Sequence, residues 1–89
     1  MKHHATEAFW KYYDALPPHI RQQAEKNFEL LKANPEHPSL QLKSVGRFWS
    51  ARVGLSWRAL AVKVPESETL VWFWIGSHAE YDRLVGRKR

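Results

Sequence analysis

The chain contains no cysteine. Disulfide staples and thiolate zinc sites are thereby excluded, and an unstapled domain of this kind suits a reducing compartment such as the cytoplasm. Long apolar runs are also missing. The longest, Thr69 to Gly76 (TLVWFWIG), falls far short of the ~20 residues of a membrane span, so no membrane association is expected. Met1-Lys2-His3-His4 leads into polar residues, and no secretory signal is expected there. Phosphate loops, dinucleotide-binding glycine patterns and serine-hydrolase elbows are absent. The histidines do not cluster. His3-His4 stands on a terminus expected to be mobile, His19 at a helix start and His37 in a loop, without carboxylates at ligand spacing, so neither metal nor cofactor is expected.

Acidic residues are few. Nine Asp and Glu face fourteen Lys and Arg, for a net charge of +5. Such a chain favours polyanionic partners, nucleic acid or a ribosome, or else an acidic protein; the plainer reading is a soluble basic surface. The 89 residues allow one domain, residues 1–89. At that size folding buries only about 60–65% of the unfolded surface, so a large enclosed cavity is not expected.

Ala5, Phe9, Tyr13 and Leu16 recur at helical spacing, with a start near Thr6 and a stop at Pro17. A second helix opens at Pro18, carries Ile20, Ala24, Phe28 and Leu31 on one stripe, and ends at Asn34-Pro35. The Leu16-Pro17-Pro18 corner folds the two into a hairpin. Beyond it the texture becomes extended: Leu40 to Val45, Phe48 to Val53, Trp57 to Val64 and Thr69 to Ile75, separated by turn residues such as Gly46 and Gly54. Ser77 and Glu80 form a capping-box pattern for a short final helix to about Leu84. The expected fold is α+β: an N-terminal helix hairpin packed on an antiparallel sheet of three to four strands, with a short C-terminal helix.

Five tryptophans exceed what a small core needs. Strict alternation puts Leu70, Trp72 and Trp74 on one sheet face and Val71, Phe73 and Ile75 on the other, so both faces of the last strand are apolar. The hairpin can cover one. The other, with Trp72, Trp74 and Trp57, is expected either to receive the folded-back C-terminal segment or to bind a partner.

Residues able to do chemistry concentrate in the strand half: Lys43, Arg47, Arg52, Arg58, His78 and Tyr81. Cutting RNA without a metal requires a proton acceptor for the 2′-hydroxyl, a donor for the 5′-oxygen, and fixed cations for the charge that builds on phosphorus. This set holds all three. Arginine's planar fork suits phosphate, and imidazole titrates near neutrality. Arg58 and Arg52 are expected at one exposed rim, beside His78. Against this, His78 could simply cap a helix, Tyr81 pack on the sheet, and Lys43 and Arg47 stay solvated.

The ordered strings Phe9-x-x-Tyr12-x-x-x-Leu16-Pro17, Ile20-Arg21, Asn34-Pro35, Leu40-x-x-Lys43, Ser50-Ala51-Arg52-Val53-Gly54, Trp57-Arg58 and Trp74-Ile75-Gly76-x-His78-x-x-Tyr81 resemble the RelE/ParE toxin superfamily of type II toxin–antitoxin systems. The resemblance implies the fold above and a neutralising antitoxin. It implies one of two activities: ribosome-dependent messenger-RNA cleavage, as in RelE-like members, or inhibition of DNA gyrase, as in ParE-like members. By position, Arg58 matches the arginine that contacts the scissile phosphate, and His78 and Tyr81 match the segment holding an acid or base. Lys43 and Arg52 match basic positions associated with nucleic-acid backbone. Trp49, Ser50 and Ala51 stand where some nucleases of the family carry lysines. A toxin-like protein that only pairs with an acidic partner is the third possibility.

Overall fold

The computed structural model describes residues 1–86; the basic end expected at Gly86-Arg87-Lys88-Arg89 lies, from 87 on, outside the described residues. The elements follow as β1 (Lys2–Ala5), α1 (Glu7–Asp14), α2 (Pro18–Ala33), a 3₁₀ turn (Pro38–Leu40), β2 (Lys43–Val45), β3 (Phe48–Val53), β4 (Trp57–Val64), β5 (Thr69–Ser77) and α3 (His78–Val85). Each boundary has a local cause. The Thr6 hydroxyl accepts the Phe9 N–H at 3.1 Å and caps α1. That helix starts later than its periodicity suggests because Ala5 belongs to β1. It stops early because the N–H groups of Ala15 and Leu16 turn back to Tyr12 and Tyr13. Arg21 donates to the Leu16 carbonyl at 2.7 Å and clasps the corner before α2.

The strand expected from Leu40 begins only at Lys43. Pro38–Leu40 coils instead, plugging the core with Leu40, 1% exposed, and Gln41 leaves the turn in the left-handed region at φ 46.

The sheet has five strands in the order β1-β5-β4-β3-β2. Strands β2 to β5 form the antiparallel meander that the sequence predicts. β1 adds a parallel edge strand against β5, from Lys2↔Thr69 to Ala5↔Trp72. The His3-His4 terminus, expected to be mobile, is therefore paired into the sheet. It is also fastened by a side chain, because Trp72 Nε1–H donates to His3 Nδ1 at 3.1 Å.

A β-bulge overturns the expected facing of the tryptophans. Ala61 pairs with Trp72 and Leu60 with Trp74, so Phe73 is the extra residue and the alternation resets. Trp72 packs with the helix-side core, whereas Trp74 joins Leu60 and Tyr81 on the opposite face. Both are 6% exposed, and Trp57 also packs against the helix-side core. The single open tryptophan face does not form. The second face is covered by α3, with Tyr81 and Val85 against Leu60, Trp74, Phe48 and Phe73.

Candidate functional site

Two places on this scaffold gather candidate functional groups. The first lies under α3. The Ser77 hydroxyl accepts the Glu80 N–H at 3.2 Å and the Glu80 carboxylate accepts the Ser77 N–H at 3.4 Å, a complete capping box. The His78 N–H then donates to the Ser56 carbonyl at 2.7 Å, tying the start of α3 to the β3–β4 turn. These anchors aim Tyr81 at the sheet. Its ring lies 5.3 Å from the Arg58 guanidinium carbon, in cation–π geometry, and its other neighbour is the His78 ring, 5.5 Å away. Tyr81 thus contacts both Arg58 and His78.

The expected exposed rim is not observed at Arg58, which is only 8% exposed. Tyr81 roofs it, and the neighbouring strands place Arg52 and Gly76 beside it. Its Nη2 donates to the Gln41 side-chain oxygen at 3.1 Å, its Nη1 reaches Ser50 Oγ at 3.5 Å, and among the described residues its Nε has no acceptor. Among the described residues no carboxylate pairs with it. A buried guanidinium with an unused donor and no counter-charge is costly, and it is the arrangement an anion would complete.

The other proposed basic residues are placed less tightly. Lys43 pairs with Ser50 across the edge strand, which puts it on the Arg58 face, exposed. Arg47 is exposed in the β2–β3 turn. Arg52 turns its Nε to the Gly54 carbonyl at 3.0 Å, while its own carbonyl accepts from Asn27 at 2.9 Å. His78 remains open to solvent, with Nδ1 3.4 Å from the Asp82 carboxylate. Gln41 and Ser50 were missed as site residues. Ser50, a small polar residue between Trp49 and Ala51 and fully buried in β3, carried a usable signal; Gln41, in a loop, carried none. Among the described residues no group of three or more His, Cys, Asp or Glu is placed to hold a metal ion.

The second place is an open cleft of about 860 Å³ between the helix hairpin and the sheet, with Trp72 on its floor and Phe9, Trp10 and Phe28 along its mouth. It is open and not the enclosed cavity that chain length argued against. At its rim the Tyr13 hydroxyl donates to Glu25 at 2.6 Å. Burial, followed by that hydrogen bond, pushes the phenol up to about 12. Trp10 and Phe28, which line it, are 50% and 40% exposed, exposed aromatic rings of the kind that mark an interaction surface. No helix among the described residues is long and apolar enough to cross a membrane.

No family model and no curated protein sequence matches the chain. Solved structures do. The toxin–antitoxin complex RelBE2 from Mycobacterium tuberculosis superposes with a TM-score of 0.65 at 22% identity, over 85% of this chain and 95% of that one. The YoeB/ParE toxin from Agrobacterium tumefaciens gives 0.66 at 15% identity, over 88% and 99%. The isolated E. coli RelE toxin gives 0.63 at 16% identity, over 97% and 96%. The shared feature at such identities is the fold, and it is the fold of the RelE/ParE toxins.

Proposed function

We propose that this RelE/ParE-fold chain is the toxin half of a type II toxin–antitoxin pair and that it cleaves messenger RNA on the ribosome, in the cytoplasm. One observation supports this above the others: Arg58 is buried without a counter-charge and keeps a free donor, directly beneath a tyrosine that touches an open histidine. In this reading the scissile phosphate enters beside Arg58 as Tyr81 moves aside. His78 and Tyr81 divide the proton transfers. One takes the proton of the 2′-hydroxyl as that oxygen bonds to phosphorus. The other protonates the departing 5′-oxygen, leaving a 2′,3′-cyclic phosphate and a free 5′-hydroxyl. Arg58 stabilises the charge that builds on the non-bridging oxygens, and Lys43, Arg47 and Arg52 hold the flanking backbone. Inducing the chain in cells and mapping transcript 5′ ends tests this: codon-phased cuts that vanish in Arg58→Ala are expected, and their absence in the parent rejects it.

The burial of Arg58 also favours a second reading, in which the guanidinium is a structural element and the chain acts without catalysis, as a gyrase inhibitor or a protein that only pairs with an acidic partner. DNA breaks with intact transcripts would select the gyrase inhibitor. In each toxin reading the partner that silences the chain is an antitoxin. The RelBE neighbours are solved as toxin–antitoxin complexes, and the aromatic mouth of the cleft, on a chain of net charge +5, suits an acidic segment with apolar anchors.

A further inference from the structure

Gln41 has no place in the reaction just described, yet it makes the shortest polar contact to the buried arginine. It caps the Pro38–Leu40 turn at φ 46, ψ 44, a left-handed backbone that favours glycine or asparagine over glutamine. The residue is exposed to solvent, yet its side-chain oxygen reaches Arg58, 3.1 Å from Nη2. Nε and Nη2 form one edge of the guanidinium, a two-donor fork that a phosphate fills with two oxygens. Gln41 fills half of it; the Nε half is empty.

We propose that Gln41 is a positioning residue that holds Arg58 ready for substrate, its amide oxygen occupying one seat of the guanidinium fork until a phosphate displaces it and takes both. The inference rests on the nuclease reading above. The choice of an amide follows from charge. A carboxylate at that point would form a charge-assisted pair, roughly twice as strong as a neutral bond, and would compete with the incoming phosphate. An apolar side chain would leave a second buried donor empty. An amide supplies one neutral hydrogen bond, aligns the fork and leaves the full positive charge for the ligand. Because Gln41 comes from an exposed loop, its release leaves the sheet untouched.

The test uses the full chain, with inorganic phosphate as probe, and two variants. Gln41→Glu keeps the length and adds charge. Gln41→Asn suits the left-handed backbone but falls short of Arg58 by one methylene. Phosphate binding is read by titration calorimetry and from the Arg58 Nε–H resonance, and folding by thermal melting. Gln41→Glu is expected to melt higher, to bind phosphate about tenfold or more weakly, in proportion to the added charge pairing, and to lose growth arrest. Gln41→Asn, which exchanges the lost hydrogen bond for a better-suited backbone, is expected to bind phosphate at least as tightly as the parent. The melting gain of Gln41→Glu should disappear in an Arg58→Ala background. If Gln41→Glu binds phosphate like the parent while Arg58→Ala abolishes both binding and transcript cleavage, the placeholder role is wrong and the nuclease reading survives. If Arg58→Ala cleaves like the parent, the nuclease role of Arg58 fails, and the melting series alone still reports whether Gln41 tethers it.

Discussion

Tyr81 covers the guanidinium of Arg58 at 5.3 Å, so the strongest cation of the candidate site is sealed by the residue proposed to work beside it. Two substitutions separate the roles. Tyr81→Phe keeps the aromatic roof and removes the hydroxyl. If that hydroxyl transfers a proton, cleavage should fall about 100-fold or more with an unchanged melting temperature. A Phe variant cutting at the parental rate would reduce Tyr81 to a cover.

Arg58→Met should separate activity from stability in the opposite direction. The buried guanidinium lacks a counter-charge and leaves Nε unpaired, so an apolar side chain of similar length is expected to leave the melting temperature unchanged or raise it. The same change should cost about 100-fold or more in cleavage, as loss of a transition-state donor does. A large drop in melting temperature would show that Arg58 holds the fold together and that its burial is structural.

Gly76 is required by a close approach. A Cβ there would lie 2.5 Å from Trp74 Cζ2 and 3.0 Å from a Glu80 carboxylate oxygen. Gly76→Ala must therefore push the tryptophan out of the α3-side core or loosen the capping box. A destabilisation of about 1–3 kcal/mol is expected, as for overpacked sites, measurable by urea unfolding. The ring that Gly76 admits is also the one the bulge at Phe73 turned to this face, so loss of Trp74 order should accompany the change.

The legible and illegible parts of the structure divide along this line. Helix α2 and strands β3 and β4 were readable because Pro18, Asn34, Gly46 and Gly54 mark their ends and the periodicity inside them is clean. The Ser77–Glu80 capping box was readable from spacing alone. The bulge was not, because every residue from Leu70 to Ile75 is apolar, and such a run fits either facing until pairing with Leu60 and Ala61 fixes it. Strand β1 was too short to announce itself; it exists because β5 offers a free edge. At the site, residue types named Arg58, His78 and Tyr81, but the burial of Arg58 follows from how α3 packs, and its bond to Gln41 from a loop conformation that no periodicity encodes.

Acid should weaken the attachment of β1. His3 Nδ1 accepts the Trp72 indole N–H, so the ring must be neutral. Burial first, then the chain's own N-terminal ammonium and Lys32, hold its pKa below the ordinary 6.5. The unfolded chain therefore takes up this proton at higher pH than the folded one. The contribution is intact above 6.5 and is lost as pH falls through the depressed folded-state value. Melting curves from about pH 8 to about pH 5 should show the parent losing stability faster than His3→Gln, whose amide can accept the same bond without titrating. Parallel curves would mean that the indole bond does not secure the strand.

The aromatic mouth of the cleft should decide whether the chain can be silenced. Trp10 is half exposed, and its ring packs edge-on against Phe9 and Tyr13 at 5.2 and 5.3 Å. Tryptophan is among the residues enriched at binding hot spots. Trp10→Glu places a charge where apolar anchors of an acidic antitoxin would seat, and adds repulsion to the lost contact area. Because Trp10 lies outside the buried core, folding should be nearly unaffected. The expected phenotype is growth arrest that co-expression of the antitoxin no longer relieves, with a loss of affinity of about 30-fold or more in a purified binding assay. Full rescue of Trp10→Glu by the antitoxin would move the docking surface away from the hairpin.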